Sequence, residues 1–393
     1  MYSSMLILGE SSHSAHVVER GVQLGLAVHR TEELLSPNEN SEDAVVRLGR
    51  EKHAFVWSAS PQQYPLLTRV AQRLKRPHFP WRTNIHWTQE AHDALRDQVD
   101  FLETKAVCTW EDVERTLREW GVPLWIRGVT DTGSDTCIRI RDEGDLTFAR
   151  QKWFAACATR PEGLPLLVQR AMEGGVYRLY GFKVGRDFHP VEVVEETVSD
   201  GPFRLPLRHV VPCGLEALPY TYILDLSRTI LRSLPLGFTA AEIEFVLTDA
   251  KKPLVADVLI APNIHKAAAD LLAYALGLDM AGDLLRVLQG EPPVATPNSD
   301  LGAAVGWFTP KPGVLKAVSG VEEARTLPGV QKVVVPAMNS QDGAPVLRHI
   351  TDLETRDRMG YIIAVGATRE HALEHLEAAL ARVTFSVEAM VEA

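Results

Sequence analysis

Glu244 stands in the apolar run IEFVLT, and a carboxylate there must be paired, coordinated or exposed at the edge of a sheet. Asp257 sits in a second apolar run, PLVADVLI, a short turn further on. Arg127 ends the apolar run PLWIR and is followed by the polar loop TDTGSD. An arginine so placed can clamp a phosphate bidentately, or it can be a solvated strand end. Gly133 and Ser134 can cradle a phosphate with their backbone, or simply turn a hairpin. His209, before VVP, can orient a substrate or serve structure. His13 and His16 have metal-like spacing, but Ser12 and Ser14 beside them suit a helix cap, which is the preferred reading. His371 and His375 fall on one face of a helix rich in Glu and Ala and are expected to be solvated.

The elements that must position these residues can be read from apolar period and punctuation. LILG is a short strand broken at Gly9, and Val17, Val18, Val22 and Leu24 follow on a helix ending near Gly25. AVHR, AFVWSAS and a helix over YPLLTRVAQRL continue the alternation that a parallel sheet requires. The first turn, GESSHSAH, has one glycine where a dinucleotide fingerprint needs three, so NAD binding is not expected. From Trp110 the pattern changes to a helix EDVERTLREW, strands PLWIRGV and TCIRIRD, a helix, and the strand PLLVQRAM, as in a small antiparallel lobe. After EGGVYRLYGFKVG come two more strands, a loop through LRHVVPCGL, a long helix TYILDLSRTILRSLP, and strands AAEIEFVLT and KPLVADVLI. EPPVATPNSD, with three prolines, reads as a linker over 291–300, and a last α+β unit runs from Ala303 to about Phe385.

The bulk numbers exclude several classes. The 393 residues, 46% hydrophobic and 23% charged, suffice for two to four compact units. A net charge of -10 without a basic block argues against nucleic-acid binding. No apolar run approaches the length of a membrane span, and the start lacks the basic region and apolar core of a signal peptide, so a cytoplasmic protein is expected. Cys108, Cys137, Cys157 and Cys213 are scattered and are expected to be reduced.

This order of elements resembles the ATP-grasp superfamily across nearly the whole chain. PLWIRGVTDTGSDTCIRI is similar to the family's strand and triphosphate-closing loop. LLVQRAMEGGVYRLYGF is similar to the hinge strand, LRHVVPCGL to a substrate-side loop of amino-acid ligases, and GFTAAEIEFVLTDAKKPLVADVLIAPN to the acidic strand pair that holds magnesium. GWFTPKPGVLKAVSGVEEARTLPGV and TRDRMGYIIAVGATREHALEHLEAA resemble the closing domain of bacterial L-amino acid ligases. The resemblance implies an α/β chain with a Rossmann-like parallel-sheet domain at 1–105, a two-lobed α+β core at 106–171 and 172–290, the linker, and an α+β domain at 301–393. It further implies ATP and Mg2+ as cofactors, an amide formed from a carboxylate and an amine through an acyl phosphate, and a possible homodimer. Magnesium wants oxygen ligands in a near-octahedral shell, and Glu244 and Asp257 on neighbouring strands would supply them. Arg127, Gly133, Ser134, Gln169, Arg170, Ala171 and Glu173 would hold the nucleotide, and Arg127, His209 and Lys266 would act on the reacting groups.

The departures from the family pattern define a rival reading. Arg127 replaces a lysine and Gly128 the following proline, Ala94 stands for a second phosphate-directed lysine, and Leu259 for an asparagine. Asn263 lies too far on unless the strand bulges, Lys266 is the nearest cation to a missing arginine, and Val176 stands where many relatives have glutamate, which leaves Glu173 for the ribose. A non-catalytic relative serving as a binding or partner subunit has the same pattern. A biotin-carboxylase-like enzyme is the weaker third, since no biotin-carrier segment is recognised.

Overall fold

The computed structural model describes residues 2–9, 15–35, 42–59, 63–76, 88–127, 137–159, 166–235, 237–249, 252–261, 263–294, 296–336, 346–351 and 353–389. Gly133, Ser134 and His13 lie outside them.

Strands β1 (Ser4–Ile7), β2 (Ala27–Arg30) and β3 (Ala54–Trp57) form a parallel sheet in the order β2-β1-β3. The apolar run of β1 is buried throughout, as a strand covered on both faces requires. The helix Ala15–Gln23 stops where Gly25 takes φ 83°, a left-handed turn open to glycine. The parallel unit and its helices agree with the alternation of the sequence.

The second sheet contains β4 (Thr104–Val107), β5 (Leu124–Arg127), β6 (Cys137–Ile140) and β7 (Leu166–Arg170), antiparallel in the order β4-β7-β5-β6. It packs on the helix Trp110–Trp120, which opens on a capping box: Asp112 N donates to Thr109 Oγ1, and Thr109 N donates back to Asp112 Oδ2.

The largest sheet begins with β8 (Gly175–Val184), β9 (Asp187–Val198), β10 (Pro206–Val211), β11 (Phe238–Leu247) and β12 (Pro253–Ala261). The C-terminal part adds β13 (Gly302–Trp307), β14 (Gly313–Ser319), β15 (Val330–Val334), β16 (Val346–Leu347), β17 (Tyr361–Gly366) and β18 (Thr384–Glu388). Of these, β13, β17 and β15 continue the large sheet, whose order is β12-β11-β8-β9-β10-β13-β17-β15, while β16-β14-β18 form a small sheet of their own. The large sheet therefore runs without a break from β12 to the C-terminal strands β13, β17 and β15. The described residues of 291–300 form no element, yet Val294 N donates to Asp283 Oδ1 and Asn298 N to the Leu276 carbonyl, so the segment is tied down at two points.

Two local expectations are corrected. The segment expected as a loop through LRHVVPCGL is largely strand β10, hydrogen-bonded to β9 and β13, because its β-branched and alternating residues fit a doubly paired position. His375 is half-buried rather than solvated, and its Nδ1 lies 2.7 Å from the Val365 carbonyl, whereas His371 is exposed.

His16 supplies a pH prediction. It is 8% exposed, and burial followed by the charge of Lys266 lowers its pKa from 6.5 to about 4. As pH falls below 6.5 the unfolded chain takes up this proton first, so stability drops between pH 6.5 and 4 and levels off below. The loss amounts to about 3 kcal/mol at 1.36 kcal/mol per unit. Urea denaturation across this range should show the slope, and His16→Leu should flatten it; an unchanged slope in the variant would assign the acid sensitivity elsewhere.

Candidate functional site

Register brings the candidate carboxylates together. Glu244 on β11 is directly opposite Asp257 on β12 and directly opposite Arg178 on β8. Immediately beyond, Phe245 faces Val255, so Ala256 is the extra residue of a β-bulge. Its carbonyl accepts from Gln169 Nε2 at 2.7 Å. The bulge thus turns a backbone acceptor toward the four-stranded sheet.

Arg127, at the end of β5, reaches across to this pair. Its Nε donates to Gln169 Oε1 at 2.8 Å, Nη1 to Asp257 Oδ2 at 2.9 Å, and Nη2 to Glu244 Oε1 at 3.3 Å. Asp257 Oδ1 accepts from Thr88 Oγ1 at 2.6 Å, and that hydroxyl accepts from Val258 N. Glu244 takes two further guanidinium groups, Arg204 Nη1 at 2.8 Å on Oε1 and Arg178 Nη2 at 2.9 Å on Oε2. Its side chain is 1% exposed, so these contacts are dry and strong.

The network continues along the sheet. Arg178 also binds Glu196 at 2.6 Å and Glu242 at 3.3 Å. Burial opposes the Arg178 charge, but Glu196, Glu244 and Glu242 outweigh it and raise its pKa well above the ordinary arginine value. Burial likewise opposes the Glu196 charge, yet Arg178 and His209 hold that carboxyl well below the usual range. Glu242 is pushed up by burial. His209 faces Glu196 across β10 and β9, its Nε2 3.1 Å from Oε1 but off the hydrogen-bond line. Burial lowers the His209 pKa, although Glu196 beside it works the other way.

The structure therefore brings Arg127, Gln169, Glu244 and Asp257 into one cluster and joins His209 to it through Glu196 and Arg178. Lys266 is elsewhere. It begins the helix Lys266–Leu276 and pairs with Asp270 at 3.7 Å, in company with Lys332 and Tyr361. The hinge donors expected to face a nucleotide are engaged inside the small sheet: Arg170 N donates to the Glu103 carbonyl and Ala171 N to the Pro123 carbonyl. Glu173 is exposed.

The residues do not fit magnesium. The ion needs near-octahedral oxygen ligands at about 2.0–2.1 Å. All four carboxylate oxygens of Glu244 and Asp257 already accept from guanidinium or hydroxyl donors, and three arginines surround Glu244. Among the described residues, no group of three His, Cys, Asp or Glu could hold a metal.

Sequence reasoning missed Arg178, Arg204, Glu196 and Thr88. A signal for part of this was present, since Glu242 and Glu244 share one strand face at i and i+2 and need basic partners.

Comparison with known proteins agrees with the architecture. The chain aligns over 99% of its length with all of an L-amino acid ligase from Bacillus licheniformis, at a TM-score of 0.76 and 15% identity. The chain has the ATP-grasp fold. A carboxyaminoimidazole ribonucleotide synthase from Aspergillus clavatus, complexed with ATP, superposes at a TM-score of 0.70 with 16% identity, covering 98% of this chain and 100% of that one. Within this ATP-grasp chain, residues 306–388 match the model of L-amino acid ligase C-terminal domain 2. A curated relative, the uncharacterized protein y4rH of Sinorhizobium fredii (strain NBRC 101917 / NGR234), is 26% identical over 287 residues, 72% of this chain. The match spans 57% of that longer relative. No helix among the described residues is long and apolar enough to cross a membrane.

Proposed function

We propose that this ATP-grasp protein is a binding or partner subunit that does not run magnesium-dependent ligation. The supporting observation is Glu244, a carboxylate at the expected metal position, which takes three guanidinium groups in a dry site. Acyl-phosphate chemistry requires divalent cations to neutralise the transferring phosphoryl group. Here the positive charge is spent on the protein's own acids: Arg127, Arg178 and Arg204 stand against Glu196, Glu242, Glu244 and Asp257.

A second reading, an ATP-dependent carboxylate–amine ligase, draws support from residues 306–388 and from the end-to-end likeness to a ligase. In that reading ATP or ADP binds between the lobes, and a small carboxylate and amine are joined. The two readings separate in an assay of ADP and phosphate release with a panel of carboxylates and amines in ATP and magnesium. The expected result is release at the protein-free rate. Release that matches amide formation, and is abolished by Asp257→Asn, would restore the ligase.

A further inference from the structure

Arg127 lies on the small sheet, while the two acids it binds lie on the large one. Its three side-chain nitrogens are divided among Gln169, Asp257 and Glu244. Gln169 is fully buried and extends the same tie, donating to Thr104 Oγ1 at 3.0 Å and to the bulged Ala256 carbonyl at 2.7 Å. Arg204 fastens the opposite side: its backbone N donates to the Cys137 carbonyl of β6 at 2.9 Å, while its guanidinium holds Glu244. Arg139 N donates to the Pro202 carbonyl at 2.8 Å beside it. The small sheet is thereby gripped from two directions around one acid pair.

A divalent cation in such a place would neutralise the acids and bridge the lobes. We infer that the Arg127 guanidinium does both with no ion present, as a built-in replacement for the cation that holds the small sheet on the large one. The inference deepens the reading of the site as one without catalytic magnesium. Arginine suits the task because its charge is permanent and its planar fork reaches several acceptors at fixed angles. Because the guanidinium uses Asp257 Oδ2 and Glu244 Oε1, arginine and metal exclude each other.

The test is a Mn2+ titration of the full chain, read by electron paramagnetic resonance, together with hydrogen exchange. The parent should bind no Mn2+ at this pair in the millimolar range, whereas Arg127→Ala combined with Arg204→Ala, which together free Asp257 Oδ2 and Glu244 Oε1, should gain a site that the added change Asp257→Asn removes. Mn2+ bound by the parent and lost in Asp257→Asn would overturn the inference, as would a folded double variant that gains no site. Should the double variant fail to fold, Arg127→Lys keeps the charge but gives up the fork, and the amides of β5 and β7 should then exchange roughly tenfold or more faster. Unchanged exchange in Arg127→Lys would also overturn it. A parent silent toward Mn2+ but releasing ADP with amide formation would remove the proposed function and leave the replacement standing.

Discussion

Glu244→Ala is expected to lower folding stability by about 3–5 kcal/mol, the range for removing one partner of a buried ion pair. The variant would leave the facing groups of Arg127, Arg178 and Arg204 in a dry site without the acid they share. Arg178 keeps Glu196 and Glu242, and Arg127 keeps Asp257, so the loss is partial and the fold survives in a weakened form. Glu244→Gln should cost less, because one acceptor oxygen remains while the amide NH2 faces a guanidinium. A metal ligand behaves in the opposite way: relieving two close carboxylates of mutual repulsion leaves an ion-free protein equally stable or more so. Guanidinium denaturation of parent and variants decides between these, and a Glu244→Ala midpoint at or above the parent's would return Glu244 to the role of a vacant ligand.

The ease of reading the chain differed by scale. Elements set by local pattern were legible: the buried run of β1, the helix over Trp110–Trp120 and the acidic strands β11 and β12 all follow from apolar period. The direct opposition of Glu244 and Asp257 was only half legible, because it depends on the bulge at Ala256, and one residue of slip reverses every side chain beyond it. The arginines were hidden for a related reason. Arg204 lies in the connection between β9 and β10 and is aimed at Glu244 only when that connection meets β6, 67 residues earlier at Cys137. Nothing local marks such a meeting. The same holds for the C-terminal strands, whose joining of the large sheet through β13 is a matter of edge pairing that no periodicity encodes.

That joint is where the other large effect is expected. Trp307 ends β13, between β10 and β17, and is 4% exposed. The Arg356 guanidinium lies 3.9 Å over its ring, His209 meets it edge-on at 5.0 Å, and its Nε1 donates to Asp357 Oδ1 at 3.1 Å. Arg356 in turn donates to the Pro206 carbonyl of β10, and His265 Nε2 lies 2.5 Å from Asp357 Oδ2. Burial opposes the Asp357 charge, but His265 and Arg356 hold its pKa well below the ordinary value, so the carboxylate is charged where the indole N–H meets it. Trp307→Ala should therefore cost about 3–5 kcal/mol, the range for emptying a tryptophan site, with the cation–π contact adding to it. Trp307→Phe keeps a ring under Arg356 and loses the N–H donor and some volume, so it should retain most of the difference. Denaturant midpoints with an unchanged slope would report these as stability alone. If Trp307→Ala cost under about 1 kcal/mol, the value of an ordinary surface change, the indole would not be the joint between the large lobe and the C-terminal strands.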